Sequence, residues 1–120
     1  VELPVTAAAP AAARAAAAEF LRLEGGCAGV GEALALSVSE AVTNAVVHSG
    51  SERPIELGMS RRGTELEVRV RDHGRGMGPR SAARPGIGLG LPLMARLADA
   101  FALRDSEGGG LEVRLTFRCG

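Results

Sequence analysis

The chain has 120 residues, with Lys+Arg and Asp+Glu both counting 14; it suits one domain, residues 1–120, around a single hydrophobic core, and carries no net field to gather nucleic acid. No apolar run reaches the length of a membrane span, no basic cluster suggests a membrane surface, and the alanine-rich start lacks the charged opening of a signal peptide. Cys27 and Cys119 lie far apart without metal-ligand spacing, so they imply neither a disulfide scaffold nor zinc and fit thiols in a reducing, cytoplasmic setting.

Val1 to Thr6 alternates apolar and polar residues as a short strand does, and Thr6 can cap an alanine-rich helix that runs to about Glu24 and stops at Gly25-Gly26. Pro10 suits the first turn of that helix, Phe20, Leu21 and Leu23 are its candidates for core contact, and its alanines add propensity more than packing. A second helix spans about Gly31 to Val47 and is closed by Ser49-Gly50-Ser51. Ile55, Leu57 and Met59 alternate on one arm of a hairpin and Leu66, Val68 and Val70 on the other, with Arg62-Gly63 at the turn. The second arm delivers Asp72 at its end. Residues 73–90 hold six glycines, at 74, 76, 78, 86, 88 and 90, and two prolines, too many for regular structure. From about Leu89, the spacing of Leu93, Met94, Leu97 and Ala98 predicts a third helix. Phe101 to Arg104 and Leu111 to Phe117 then form a final hairpin around Gly108-Gly109-Gly110. This order predicts an α/β (α+β) two-layer sandwich, a mixed β-sheet with about three helices on one face.

Three segments carry candidate chemistry. In the second helix, Glu40, Asn44 and His48 fall within an arc of about 80°, while Leu34, Val38, Ala41, Val42, Ala45 and Val46 take the opposite half. One face packs and the other is open to a ligand; an ordinary amphipathic helix with a solvated polar face is the plainer account of this segment alone. Asp72-His73-Gly74-Arg75-Gly76 follows a strand directly, so its carboxylate projects from a rigid edge while the glycines let a flat ligand approach the backbone. A carboxylate there can accept a hydrogen bond from the exocyclic amine of adenine and repel the oxygen that guanine carries at the same position; a glycine-rich turn with a capping Asp is the plainer alternative. Gly86-Ile87-Gly88-Leu89-Gly90 sits at the start of the third helix, where unpaired N–H groups favour phosphates. No Gly-Lys-Ser/Thr follows and Leu91 takes the third glycine place of a dinucleotide fingerprint, so neither standard phosphate loop is present.

Taken together, Glu40…Asn44, Asp72-x-Gly74-x-Gly76 and Gly86-x-Gly88-x-Gly90, in this order and on these elements, resemble the N, G1 and G2 boxes of the Bergerat-fold (histidine kinase-like) ATPases. Within that superfamily the segment SEAVTNAVVHS is most similar to the N box of the anti-sigma factor serine/threonine kinases, and the first strand and helix resemble their opening. Sensor histidine kinases usually lack a Glu four residues before the Asn, so Glu40 points to activation of a hydroxyl or water.

The resemblance implies the Bergerat ATP-binding fold, with ATP and Mg²⁺ as cofactors. Asn44 would hold the metal on the phosphates, Asp72 would bind the adenine amine, and Glu40 would be the general base. Gly74, Gly76, Met77, Arg84, Gly86, Gly88, Leu89 and Gly90 would line the nucleotide, with Met77 to Pro85 as a short lid that lacks lysine and offers Arg80 and Arg84 to the phosphates. Leu111 stands where many relatives carry a threonine that supports the aspartate, so Asp72 is expected to lack that partner. His48 is read as a structural residue steadying the helix against a neighbouring loop. The implied activity is that of an anti-sigma factor kinase that binds a sigma factor and phosphorylates an anti-anti-sigma antagonist, with a homodimer as the assembly and no direct contact with nucleic acid or membrane. A non-catalytic, nucleotide-dependent switch module from a larger regulatory phosphatase or sensor protein is the alternative.

Overall fold

Alternation of side chains decides the sheet. In the computed structural model, which describes residues 1–25, 27, 29–74, 93–106 and 109–119, the first hairpin forms between the two predicted arms, but its turn is Gly63-Thr64 and not Arg62-Gly63, because Arg62 still pairs with Glu65 as the last residue of its strand. Strands β2 (Ile55–Arg62) and β3 (Glu65–Arg71) pair antiparallel, with Leu57 opposite Val70 and Met59 opposite Val68. Gly63, at φ 60°, supplies the left-handed residue of the turn. Ahead of β2 along the chain, β1 (Glu2–Leu3) adds only a two-residue edge to it.

Strands β4 (Ala100–Asp105) and β5 (Leu111–Arg118) make the second hairpin, and β5 docks against β3 to give the order β1-β2-β3-β5-β4. The two-layer α+β architecture is as expected, but the sheet is antiparallel throughout and not mixed. The physical reason lies in the crossover between β3 and β4: these strands run in the same direction, as a helical crossover demands, yet β5 inserts between them, so no parallel pair is formed.

Every second residue of β2, β3 and β5 faces the helices. Ile55, Leu57, Leu66, Val68, Val70, Val113, Leu115 and Phe117 are all buried there. Helix α1 (Ala9–Glu24) lies over β1 and β2, and α2 (Gly31–His48) lies over β3 and against α1. A further helical segment over residues 93–97 brings Met94 fully into the core.

Two expectations for α1 are corrected. Its N-cap is Ala8, without a side-chain hydrogen bond; Thr6 contributes its carbonyl, which accepts from Ala9 N–H at 3.1 Å. Its packing stripe consists of Ala9, Ala13 and Ala17, which are at most 1% exposed, whereas Leu23 is 67% exposed and Phe20 and Leu21 only flank the core. Small residues four apart let α1 approach its neighbours closely, so here the alanines are the contact surface.

The thiol reading is also overturned: Cys27 and Cys119 are joined in a disulfide that spans 92 residues of sequence. Distance along the chain concealed their proximity, because the α1–α2 connection and the end of β5 meet at one end of the sheet. The same end is laced by Cys119 N–H donating to Thr64 O at 2.6 Å and by the Arg61 guanidinium donating to Gly25 O. Asp72 lies at the other end of β3, roughly 20–25 Å away along the strand.

This bridge closes a long loop, so Cys27→Ser, or full reduction, is expected to lower unfolding free energy by about 2–5 kcal/mol in urea titrations. Equal stability with and without reductant would count against a formed bridge.

Candidate functional site

Helix α2 buries Leu34, Val38, Ala41, Val42 and Ala45 as its heptad-like spacing requires, which turns the Glu40–Asn44 line toward one flank of the helix layer. Glu40 is half-buried and makes no hydrogen bond or ion pair with the described residues. Asn44 is only 8% exposed, and its Nδ2 has no hydrogen-bond partner among the described residues. Ser37, about 20° from Asn44 around the helix, is fully buried with an equally unpartnered Oγ. Buried polar atoms are nearly always paired, so these two atoms on one stripe leave hydrogen-bonding capacity that no described residue uses.

Asp72 follows β3 immediately and is 2% exposed. Its Oδ1 accepts two backbone N–H groups, from Gly74 at 3.0 Å and from Leu111 at 3.1 Å, while its own N–H donates to Leu111 O at 3.0 Å. The support expected to be missing at Leu111 is therefore supplied by the main chain, which any residue at that position provides. The first bond is the local Asx-type closure of a turn; the second ties that turn to the start of β5.

Two glycines let this turn sit where it does. A Cβ on Gly74 would lie 2.0 Å from Ser49 O, and one on Gly110, whose φ is +101°, would lie 2.0 Å from Asp72 O. The 72–74 turn is thus wedged between the C-terminal end of α2 and the β4–β5 connection. The structure in this way brings together two of the three segments singled out in sequence: the end of α2, one turn beyond Asn44, and the Asp72 turn. Gly76, Met77, Arg80, Arg84, Gly86, Gly88, Leu89 and Gly90, and with them the lid and the third glycine segment, lie outside the described residues.

Three participants went unread in sequence. Ser49, 2% exposed, offers the carbonyl on which Gly74 rests; the Asp-x-Gly spacing was its only signal. Ser37 belongs to none of the three motifs and carries no signal of its own in the sequence. His73 was passed over between two motif residues, yet its side chain is 9% exposed and its Nε2 lies 2.6 Å from Glu56 Oε2. His48 is half-buried at the last position of α2 and makes no side-chain hydrogen bond among the described residues.

An amide oxygen and a carboxylate one helical turn apart are hard donors of the kind Mg²⁺ takes when one or two protein groups and substrate phosphates share its coordination. Among the described residues no group of three His, Cys, Asp or Glu side chains converges as a metal cage. The donor set therefore fits a metal that arrives with a phosphate ligand.

The site thus sets an anchored aspartate at the end of a central strand, in an antiparallel sheet backed by helices, beside a helix that bears an amide and a carboxylate. Residues 3–117 match the histidine kinase-like ATPase domain, and the chain belongs to that family. The crystal structure of the RsbU and RsbW domains of Rv1364c from Mycobacterium tuberculosis is similar, with a TM-score of 0.79 at 23% identity, over 98% of this chain and 31% of that one. The SiaB–SiaC complex from Pseudomonas aeruginosa gives a TM-score of 0.70 at 13% identity, over 98% of this chain and 88% of that one. At these identities the likeness is one of fold. This chain spans about a third of the length of the Mycobacterium chain, at 31%. No curated protein matches the sequence. No helix among the described residues is long and apolar enough to cross a membrane.

The contrast between the two kinds of residue at this site is measurable by denaturant unfolding. Gly74→Ala forces backbone apart and is expected to destabilise by about 1–3 kcal/mol. Asn44→Ala removes an amide that the fold leaves unpaired, and is expected to stay within about 1 kcal/mol of the parent; a loss of several kcal/mol there would mean that the amide is paired within the protein.

Proposed function

We propose that this domain is an ATP-dependent protein serine/threonine kinase that binds a sigma factor and phosphorylates an anti-anti-sigma antagonist. The observation that carries the reading is the juxtaposition on α2 of Glu40, a carboxylate without a partner among the described residues, and Asn44, a buried amide with an orphaned Nδ2, beside the anchored Asp72 turn. The family assignment implies ATP binding. The resemblance of SEAVTNAVVHS to the N box of anti-sigma kinases narrows the reaction.

In this reading Asp72 would accept a hydrogen bond from the adenine amine, and Asn44 would hold the Mg²⁺ that neutralises phosphate charge. Bound ATP supplies the γ-phosphoryl group that is transferred to the acceptor hydroxyl. Glu40 takes the proton from that serine or threonine Oγ as the new O–P bond forms and the bond to ADP breaks. Little covalent work falls to the protein, so its contribution is position and charge. Partners are a sigma factor and an anti-anti-sigma protein, with a homodimer as the assembly. A cytoplasmic setting follows from those partners and no longer from the cysteines.

A second reading has one observation in its favour. The Mycobacterium fold relative joins its RsbW domain to an RsbU domain in a chain of which this one covers 31%. A domain of this fold can thus be one part of a longer regulator, where it would act as a nucleotide-dependent switch without transfer.

Calorimetry of Mg·ATP and Mg·ADP is expected to show saturable binding that Asp72→Asn abolishes, and binding unaffected by that substitution would remove the adenine site. Glu40→Gln then separates the readings: a kinase keeps nucleotide but loses phosphotransfer by at least about a hundredfold, whereas a switch keeps partner binding and has no transfer to lose.

A further inference from the structure

We infer that His73 is a positioning residue for Asp72, and that the His73–Glu56 pair sets how strictly the site selects adenine over guanine nucleotides. The inference rests on the nucleotide site proposed above and goes beyond it by assigning selectivity to a pair on the far face of the sheet.

The argument begins with what holds the 72–74 turn. Asp72 is bound through its backbone and its side chain, Gly74 has no side chain, and His73–Glu56 fastens the residue between them. The fastening is short, at 2.6 Å, and the imidazole is 91% withdrawn from solvent by its 9% exposure. A carboxylate only accepts, so Nε2 carries the proton and donates to Glu56 in either charge state of the ring. Charge-assisted bonds of this kind are the strong ones.

Glu56 is well placed to serve as the fixed end. It stands in β2 with Glu2 opposite on one side and Arg71 opposite on the other, on the face away from the helices. Arg71 immediately precedes Asp72, so the pair bridges from β2 to the second residue past β3. Asp72 turns toward the helix layer and His73 toward the open face. The Gly74 N–H that Asp72 Oδ1 accepts belongs to the peptide unit that follows His73, so a shift of the His73 backbone displaces one of the two donors that aim the carboxylate. Holding the imidazole on Glu56 therefore fixes the carboxylate's aim from behind. Discrimination between an amine and a carbonyl depends on that aim, because a misdirected carboxylate neither pairs well with the amine nor repels the oxygen fully.

The test is calorimetric titration of the whole chain with Mg·ADP and with Mg·GDP, alongside thermal melts, for the parent, His73→Ala, Glu56→Ala, Glu56→Gln and the double alanine variant. His73→Ala and Glu56→Ala are each expected to weaken ADP about tenfold and to shrink the ADP-over-GDP preference. The double variant should be no worse than either single one. Glu56→Gln, whose amide oxygen still accepts from Nε2–H, should keep most of the parental preference. Glu56 is 45% exposed, so its variants keep the experiment readable should His73→Ala fail to fold. Variants that melt lower but keep the parental ADP affinity and preference well below the melt would overturn the inference, leaving a merely structural pair. So would additive losses in the double variant. A parent that binds no ADP, or an Asp72→Asn variant that binds it normally, would instead bring down the nucleotide site and this inference with it.

Discussion

One carboxylate oxygen organises this domain. Asp72 Oδ1 receives the N–H of Gly74, two residues on, and that of Leu111, 39 residues on. The first bond shapes a turn and the second joins that turn to a strand from the other hairpin. A buried carboxylate needs such donors, because an ionised group withdrawn from water without them is strongly disfavoured. The demand runs both ways. To bring both N–H groups to one atom, the chain must let main chain touch main chain at Gly74 against Ser49 and at Gly110 against Asp72. The end of α2, the end of β3 and the start of β5 are thereby fixed to one another, and the site is built from those three ends.

The two faces of the sheet serve different masters. Toward the helices, aliphatic residues of β2, β3 and β5 meet Leu34, Val38 and Val42 of α2. Away from them, Glu56, Arg71, Glu112 and Arg104 stand side by side across four strands, alternating in sign. Opposite charges directly across an antiparallel ladder support the pairing and keep that face compatible with water. His73 draws on this outer row for its partner, so the polar face contributes to the geometry of a site on the apolar side.

What could be read from sequence was whatever depends on local period. Alternation gave the two arms of the β2–β3 hairpin and the face each buries, though the turn falls one residue later than Arg62-Gly63; the apolar stripe of α2 gave the buried half of that helix, and the second arm placed Asp72 at the end of β3. What could not be read depends on residues distant in sequence meeting in space. The insertion of β5 between β3 and β4, which makes the sheet antiparallel, has no local mark. Nor has the Cys27–Cys119 bridge, the Leu111 N–H that substitutes for a side-chain partner, or the His73–Glu56 pair. The alanines of α1 failed for a different reason: propensity and packing use the same residue, and only the closeness of the neighbouring elements shows which is at stake.

The outer edge of the sheet carries its own guard. Glu2 and Leu3 pair with Glu56 and Ile55, and Val1 reaches Leu57 through its own carbonyl and amino group. Toward its far end β2 closes in Arg61 and Arg62, and the Arg61 side chain reaches across to the carbonyl at the end of α1. Charged side chains beside an edge disfavour the addition of a strand from another chain, so these two cations in succession work against edge-to-edge association at that end of β2.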